Sequence, residues 1–248
     1  MKVYFEAMKG CFLLLILLIL NGCAVTETLV IQHDGSGSMT IEAIRDEKSF
    51  MALHPDSYQS EEVFDDNIFV FKDIVAQYVD IFEKLSADER KVYGRYKNAT
   101  LREKRDSFAK DFRRVYFSSF NSVQELPDLF KTYEYVDNIK NNYALSAERH
   151  DNDVSYFYDG KIFRRKAIVT NGVFHQEKLD DVAAYRKRFE GLKIVTDYTL
   201  IYRFPKRIKS VSHKSAVLSE NGQVVTLKFD ILEASENPNS TSFEVEFY

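Results

Sequence analysis

Residues 26–45, TETLVIQHDGSGSMTIEAIR, decide the fold. Apolar side chains alternate at Leu29 and Ile31, and again at Met39, Ile41 and Ala43. A period of two marks a strand with one buried face. Between the runs lies Asp34-Gly35-Ser36-Gly37, residue types that accept turn backbone readily. Two alternating runs around a short Gly-containing turn predict an antiparallel hairpin over 26–33 and 38–45.

The same logic extends along the chain. Residues 154–158 and 162–169 flank Asp159-Gly160-Lys161, and 216–218 and 224–231 flank Glu220-Asn221-Gly222. Asp-Gly and Asn-Gly between apolar runs predict two further hairpins. Single strands are expected at 112–120, at 195–204 before Pro205, and at 243–247. A helix is expected at 72–85, where Ile74, Val75, Tyr78, Val79, Phe82 and Leu85 share one face. A second is expected at 122–139, with Ser122 and Glu125 as a capping box or, because of Pro127, a start nearer that proline, and a third at 176–192. The polar stretches 46–66 and 138–153 read as loops. The middle, 86–110, carries interspersed charges of both signs and reads as a solvated helical connector. The sum is eight or nine strands with two or three helices, an α+β class built on antiparallel hairpins.

The N-terminus carries an address. Lys2 and Lys9 precede the apolar run CFLLLILLIL at 11–20, and Asn21-Gly22-Cys23 follows. Positive, apolar and small-residue segments in that order are those of a secretory signal. The run is shorter than the ~20 residues a membrane-spanning helix needs. Leu20-Asn21-Gly22-Cys23 resembles the lipobox of bacterial lipoproteins. That resemblance implies a signal peptide over 1–22, a diacylglycerol on the Cys23 sulfur, and one lipid-anchored domain over 23–248. Ala24 in place of an acid, with no acidic cluster behind Cys23, implies the outer membrane and its periplasmic face.

Composition narrows the chemistry. The chain has 248 residues, two cysteines and a net charge of −4. Cys11 would leave with the signal and Cys23 would carry lipid, so disulfides, thiolate metal sites and cysteine nucleophiles are not expected. Lys2, Lys9 and Glu6 also leave, which makes the remainder one unit more acidic. That balance argues against nucleic acid as a partner. Aromatics are abundant, with 20 Phe and 15 Tyr but no Trp.

Three segments carry a further resemblance: TETLVIQHDGSGSMTIEA, SYFYDGKIFRRKA, and the C-terminal stretch from YTLIYRFPKRIKSVS to FEVEF. Together they resemble a family of lipoproteins from Flavobacteriia and related Bacteroidota, covering both ends of the chain and little of the charged middle. That family implies no activity. A more distant likeness is to actinobacterial LppM-type lipoproteins, which share an early Asp-Gly-Ser-Gly hairpin and a late Pro-containing β segment. A likeness of fold carries no function by itself.

Candidate sites follow. Asp34-Gly35-Ser36-Gly37-Ser38 matches D-x-S-x-S, the metal-dependent adhesion motif. There Asp34, Ser36 and Ser38 would hold Mg²⁺ through hard oxygen ligands. That motif sits between a parallel strand and a helix, whereas residues 40–44 alternate like a strand, so a plain turn is the expectation. His33, His54, His150, His175 and His213 are scattered without ligand spacing. No G-x-S-x-G elbow and no phosphate loop occur. A hydrolase therefore remains an alternative with no selected residues, and no catalytic residue or cofactor is expected. The basic runs Arg164-Arg165-Lys166 and Lys206-Arg207 are candidates for lipid head-group contact. Tyr156, Phe157, Tyr158, Phe163, Tyr198, Tyr202 and Phe204 read mainly as sheet core, with an apolar pocket as the functional reading. The expectation is a non-enzymatic envelope lipoprotein, attached to the membrane through acylated Cys23. It would bind an apolar ligand or an envelope protein.

Overall fold

The computed structural model describes residues 23–141 and 150–248. The signal read at 1–22 lies outside the described residues, as does half of the loop expected at 138–153. In chain order the strands and helices begin with β1 (Cys23–Ile31), β2 (Gly37–Arg45), α1 (Glu47–Leu53), α2 (Pro55–Tyr58) and β3 (Phe64–Val70). There follow α3 (Phe71–Gln77), α4 (Val79–Phe82), α5 (Ala87–Gly94), β4 (Ala99–Asp106), β5 (Asp111–Phe120) and α6 (Thr132–Asn141). Next come β6 (Asn152–Tyr158), β7 (Ile162–Val169), α7 (Gly172–Arg188), β8 (Asp197–Arg203) and β9 (Ile208–Val211). The last are β10 (Val217–Leu218), β11 (Val224–Asp230), α8 (Ile231–Glu236) and β12 (Phe243–Phe247).

Eight strands form one sheet in the order β10-β11-β8-β1-β2-β5-β4-β3, and four form a second, β6-β7-β12-β9. The opening hairpin is the centre of the large sheet. Leu29 faces Met39 and Ile31 faces Gly37 across an antiparallel ladder. Gly37 has no room for a side chain, because a Cβ there would lie 2.0 Å from the Val30 carbonyl oxygen. Gly35 takes φ +85°, a left-handed turn conformation that glycine adopts without steric cost. The fold is α+β with largely antiparallel pairing, as the hairpins predict. β1 also pairs in parallel with β8, a long-range contact that no local pattern announces.

The small sheet covers the β8-β1-β2 region. Phe163 stands edge-on to Tyr202 at 5.5 Å, and Phe204 meets Phe247 at 4.9 Å. Helices α3 and α6 cover β4, where Tyr96 meets Tyr135 edge-on at 4.9 Å and Phe71 packs on Tyr96. Buried aromatic pairs of this kind add about 0.5–1.5 kcal/mol each beyond area burial.

Several local expectations are corrected. Residues 46–66 are not a loop. Asp46 caps α1 by accepting from the Ser49 N–H at 2.8 Å, and β3 follows. The helix expected over 72–85 is two short pieces interrupted at Tyr78, and the second sets Phe82 against Tyr93. The charged middle is half helix and half strand. Ser86 and Glu89 form a capping box at the start of α5, while the charges of β4 pair across neighbouring strands. Arg102 reaches Asp66, Arg105 reaches Asp65, and Glu103 binds Arg114. Cross-strand pairs stabilise a strand that lacks apolar alternation. Ser122 caps no helix; Asp128 accepts from Phe130 N–H instead, and α6 begins only at Thr132. Among the described residues, no helix is long and apolar enough to cross a membrane.

Candidate functional site

Strand periodicity places a carboxylate in the core. On β1 the inward side chains are Cys23, Val25, Glu27, Leu29 and Ile31. Glu27 is 1% exposed, and it faces Arg165, the inward residue between Phe163 and Ala167 on β7. Arg165 is 2% exposed, with its guanidinium 3.5 Å from the Glu27 carboxylate. Three phenols surround the pair. Tyr198 donates to Glu27 at 2.6 Å, Tyr156 donates at 3.1 Å, and Tyr202 donates as well. Arg165 in turn donates from Nε to Tyr202 and from Nη2 to Tyr198, each at 3.0 Å. Its Nη1 donates to Thr241 Oγ1 at 2.6 Å. Tyr198 and Tyr202 each give one proton and accept one, which satisfies both hydroxyls. Burial first, and Glu27 second, push all three phenols well above their ordinary pKa, so they stay protonated donors. The network ties the two sheets together.

Beside it lies a cavity of about 200 Å³. Its walls include Val25, Ala43, Phe130, Val154, Ala167 and Ile231, and Arg165, Tyr198 and Thr241 supply polar groups. Cys23 stands in the same wall. Its side chain is 7% exposed, and burial pushes its thiol up to about 11.

A charged cluster also lines the cavity. Lys131 lies 3.0 Å from Asp153 and 3.5 Å from Asp128. Asp151 accepts from Lys178 at 2.9 Å and lies 3.2 Å from His175 Nδ1. His150 Nε2 is 3.4 Å from Glu134. Burial first, then the charges of Lys131 and Lys178, push His150 down to about 4, which leaves it neutral at pH 7. An imidazole at that value is poorly matched to general-base work at neutral pH. Ser235, also in the wall, donates its hydroxyl to the Ile231 carbonyl at 2.7 Å.

The residues singled out in sequence are dispersed. Asp34 and Ser36 sit in the β1–β2 turn, where Asp34 Oδ1 accepts from the Ser36 N–H and hydroxyl. Those bonds hold its carboxyl below the usual range. Ser38 belongs to the ladder, paired with Val30 and Ser119. The adhesion reading needs a helix directly after the motif, and the antiparallel strand β2 follows instead. Among the described residues, no group of three or more His, Cys, Asp or Glu is arranged to hold a metal ion.

The head-group set is also corrected. Arg165 points inward, because successive β residues alternate faces. Arg164 and Lys166 point outward, and Arg164 pairs with Glu244. Lys206 and Arg207 follow β8, which runs parallel to β1. They therefore lie at the end of the sheet away from Cys23, about 25 Å along the strands. Of the expected aromatics, Tyr198 lines the cavity, Phe157 is 39% exposed and faces away from it, and Tyr156, Tyr158, Phe163, Tyr202 and Phe204 are buried in the core. Glu27 and Arg165 had a legible signal, since each is a charge on the apolar phase of an alternating strand. His150, Asp151, His175 and Lys178 had none, because only folding brings them together.

No family model matches the chain, and no curated protein is similar to it. A search of solved structures finds likeness to the NMR structure of the folded domain of the Mycobacterium tuberculosis LppM protein, at 14% identity and a TM-score of 0.34. The match covers 91% of this chain and 90% of that one. A likeness at that score assigns the chain to no family.

Proposed function

We propose that this is an envelope lipoprotein, tethered through acylated Cys23, whose domain binds a small, mostly apolar ligand between its two sheets. One observation carries the reading: the cavity of about 200 Å³ has chiefly apolar walls, with Arg165, Tyr198, Thr241 and the Lys131, Asp151 and Lys178 cluster supplying its polar groups. A dry apolar cavity of roughly 150 Å³ holds a benzene ring, so this one suits a ring or a short stretch of acyl chain. A few fixed polar groups in an apolar wall are what orients such a ligand. The domain is residues 23–248 after loss of 1–22, and Ala24 favours the outer membrane and its periplasmic face.

Binding is favoured over turnover. The cavity histidine is held neutral at a value too low for an efficient base, and the cavity serine is committed to a backbone carbonyl. The test is fluorescence titration of the acylated protein with anilinonaphthalene sulfonate, an anionic aromatic probe. Ala167→Phe and Ala43→Leu should each fill part of the cavity and weaken binding, with unchanged circular dichroism. Equal affinity in both well-folded variants would sink the cavity reading. Intact mass of the membrane-extracted protein tests the anchor independently.

A further inference from the structure

We infer that the tip of the β4–β5 hairpin is a bilayer-inserting wedge, placed beside the lipid anchor by the strand register. The inference rests on the acylation of Cys23 and adds to it a second contact with the same membrane.

Four observations converge. First, Phe108 at this tip is 92% exposed. A lone exposed apolar residue is ordinary, but this one is held in place. Asp106 accepts from the N–H groups of Phe108 and Ala109 at 3.0 and 2.8 Å, and Ser107 N–H donates to Val63 O. Lys110 closes the turn at φ +52°. A lysine in that region is uncommon, and such strain persists only where the surroundings enforce it.

Second, the register sets this tip at the anchor's end of the sheet. Cys23 pairs with Arg45, and Ile44 pairs with Arg113. Phe112 is therefore level with Cys23. Asp111 pairs with Asp106 one step further on, and the turn lies beyond. The tip thus projects past Cys23 by about 3–7 Å, and β5 stands about 10 Å to its side. The chain enters the described structure at this same end.

Third, a second exposed aromatic flanks the tip. Phe64, 66% exposed, pairs with Asp106 at the start of β3. Fourth, most charges around the tip are already matched, and the Lys110 ammonium stands 4.4 Å over the Tyr58 ring. Lys104 and Arg113 both reach Asp111, Arg105 reaches Asp65, and Arg45 reaches Glu47 and Glu61. Contact with the bilayer is therefore apolar, and the partner is the acyl region and not a particular anionic head group. Aromatic side chains favour the membrane interface. The basic residues Lys206 and Arg207 lie at the opposite end and take no part.

The chain has no tryptophan, so a single one reports its own position. The experiment uses the full-length, processed lipoprotein reconstituted in vesicles containing lipids brominated on the acyl chain. Phe108→Trp and Phe64→Trp are compared with His33→Trp, in the exposed turn at the far end of β1. The expected result is blue-shifted emission and several-fold stronger bromine quenching at position 108 than at 33, with 64 intermediate. Zwitterionic phosphatidylcholine vesicles and mixtures with phosphatidylglycerol should give equal quenching. Equal or weaker quenching at 108 than at 33, in protein whose intact mass shows the acyl chains, would overturn the wedge and leave the anchor standing. An unmodified Cys23 would overturn both.

Discussion

Arg165→Met is the most informative perturbation. It removes a charge that makes four hydrogen bonds, two to phenols and two to Thr241, and that lies 3.5 Å from Glu27. Methionine fills much of the space, so the loss is electrostatic and not a large cavity. What remains is a carboxylate 1% exposed with no cation. Breaking a buried pair in this way costs about 3–5 kcal/mol, whereas replacing both partners with apolar residues is often neutral. With a urea m-value of roughly 2 kcal/mol/M, the midpoint should fall by about 2 M. The assay is urea unfolding followed by circular dichroism on the single variant, on Glu27→Leu, and on the pair together. The double variant should recover most of the loss, with a coupling energy of at least about 2 kcal/mol. Arg165→Lys should fall between, because an ammonium cannot reproduce the planar fork. A single-variant cost below about 1 kcal/mol, or losses that simply add in the double variant, would refute the idea that this network is a charge-satisfied lock between the sheets.

Four shorter predictions stand beside it. His150 is held neutral down to about 4, against an ordinary 6.5 in the unfolded chain. The unfolded state binds the proton first, so stability should fall as pH drops from 6.5 towards 4, by roughly 3 kcal/mol at most. His150→Gln should flatten that window in urea unfolding series, and an unchanged slope would refute it. Gly37→Ala should cost at least about 1–3 kcal/mol, because the new Cβ meets a backbone carbonyl oxygen at 2.0 Å. Gly35→Ala, with open space but φ +85°, should cost only about 1 kcal/mol; thermal melts separate the two. In unacylated protein the Cys23 thiol, near 11, should react with an aromatic disulfide reagent at pH 8 on the order of 100-fold more slowly than a free thiol of ordinary pKa. Excess Mg²⁺ should leave the melting temperature unchanged, since Asp34 and Ser36 serve their own turn; a rise would restore the adhesion reading.

Much of the sheet was legible along the chain because a half-buried strand writes its faces with period two. β1, β2, β7, β8 and β12 all follow that rule, and the Asp-Gly and Asn-Gly turns mark where the ladders reverse. The same alternation already set Glu27 and Arg165 on the buried phase of their strands. It could not show that the two meet, since they are joined by the stacking of one sheet on the other. β4 was missed because its stabilising partners, Asp65, Asp66 and Arg114, belong to other strands and leave no mark in its own periodicity. The long helix at 72–85 is interrupted at Tyr78, and its second piece sets Phe82 against Tyr93, a partner that the local apolar face does not reveal. The sequence by itself determined the hairpins and the class. Only the tertiary structure decided that Cys23 borders a cavity, that His150, Asp151 and Lys178 converge on it, and that Phe108 stands at the same end of the sheet as Cys23. Local patterns report which face of an element is buried, whereas register and sheet stacking decide what that face meets.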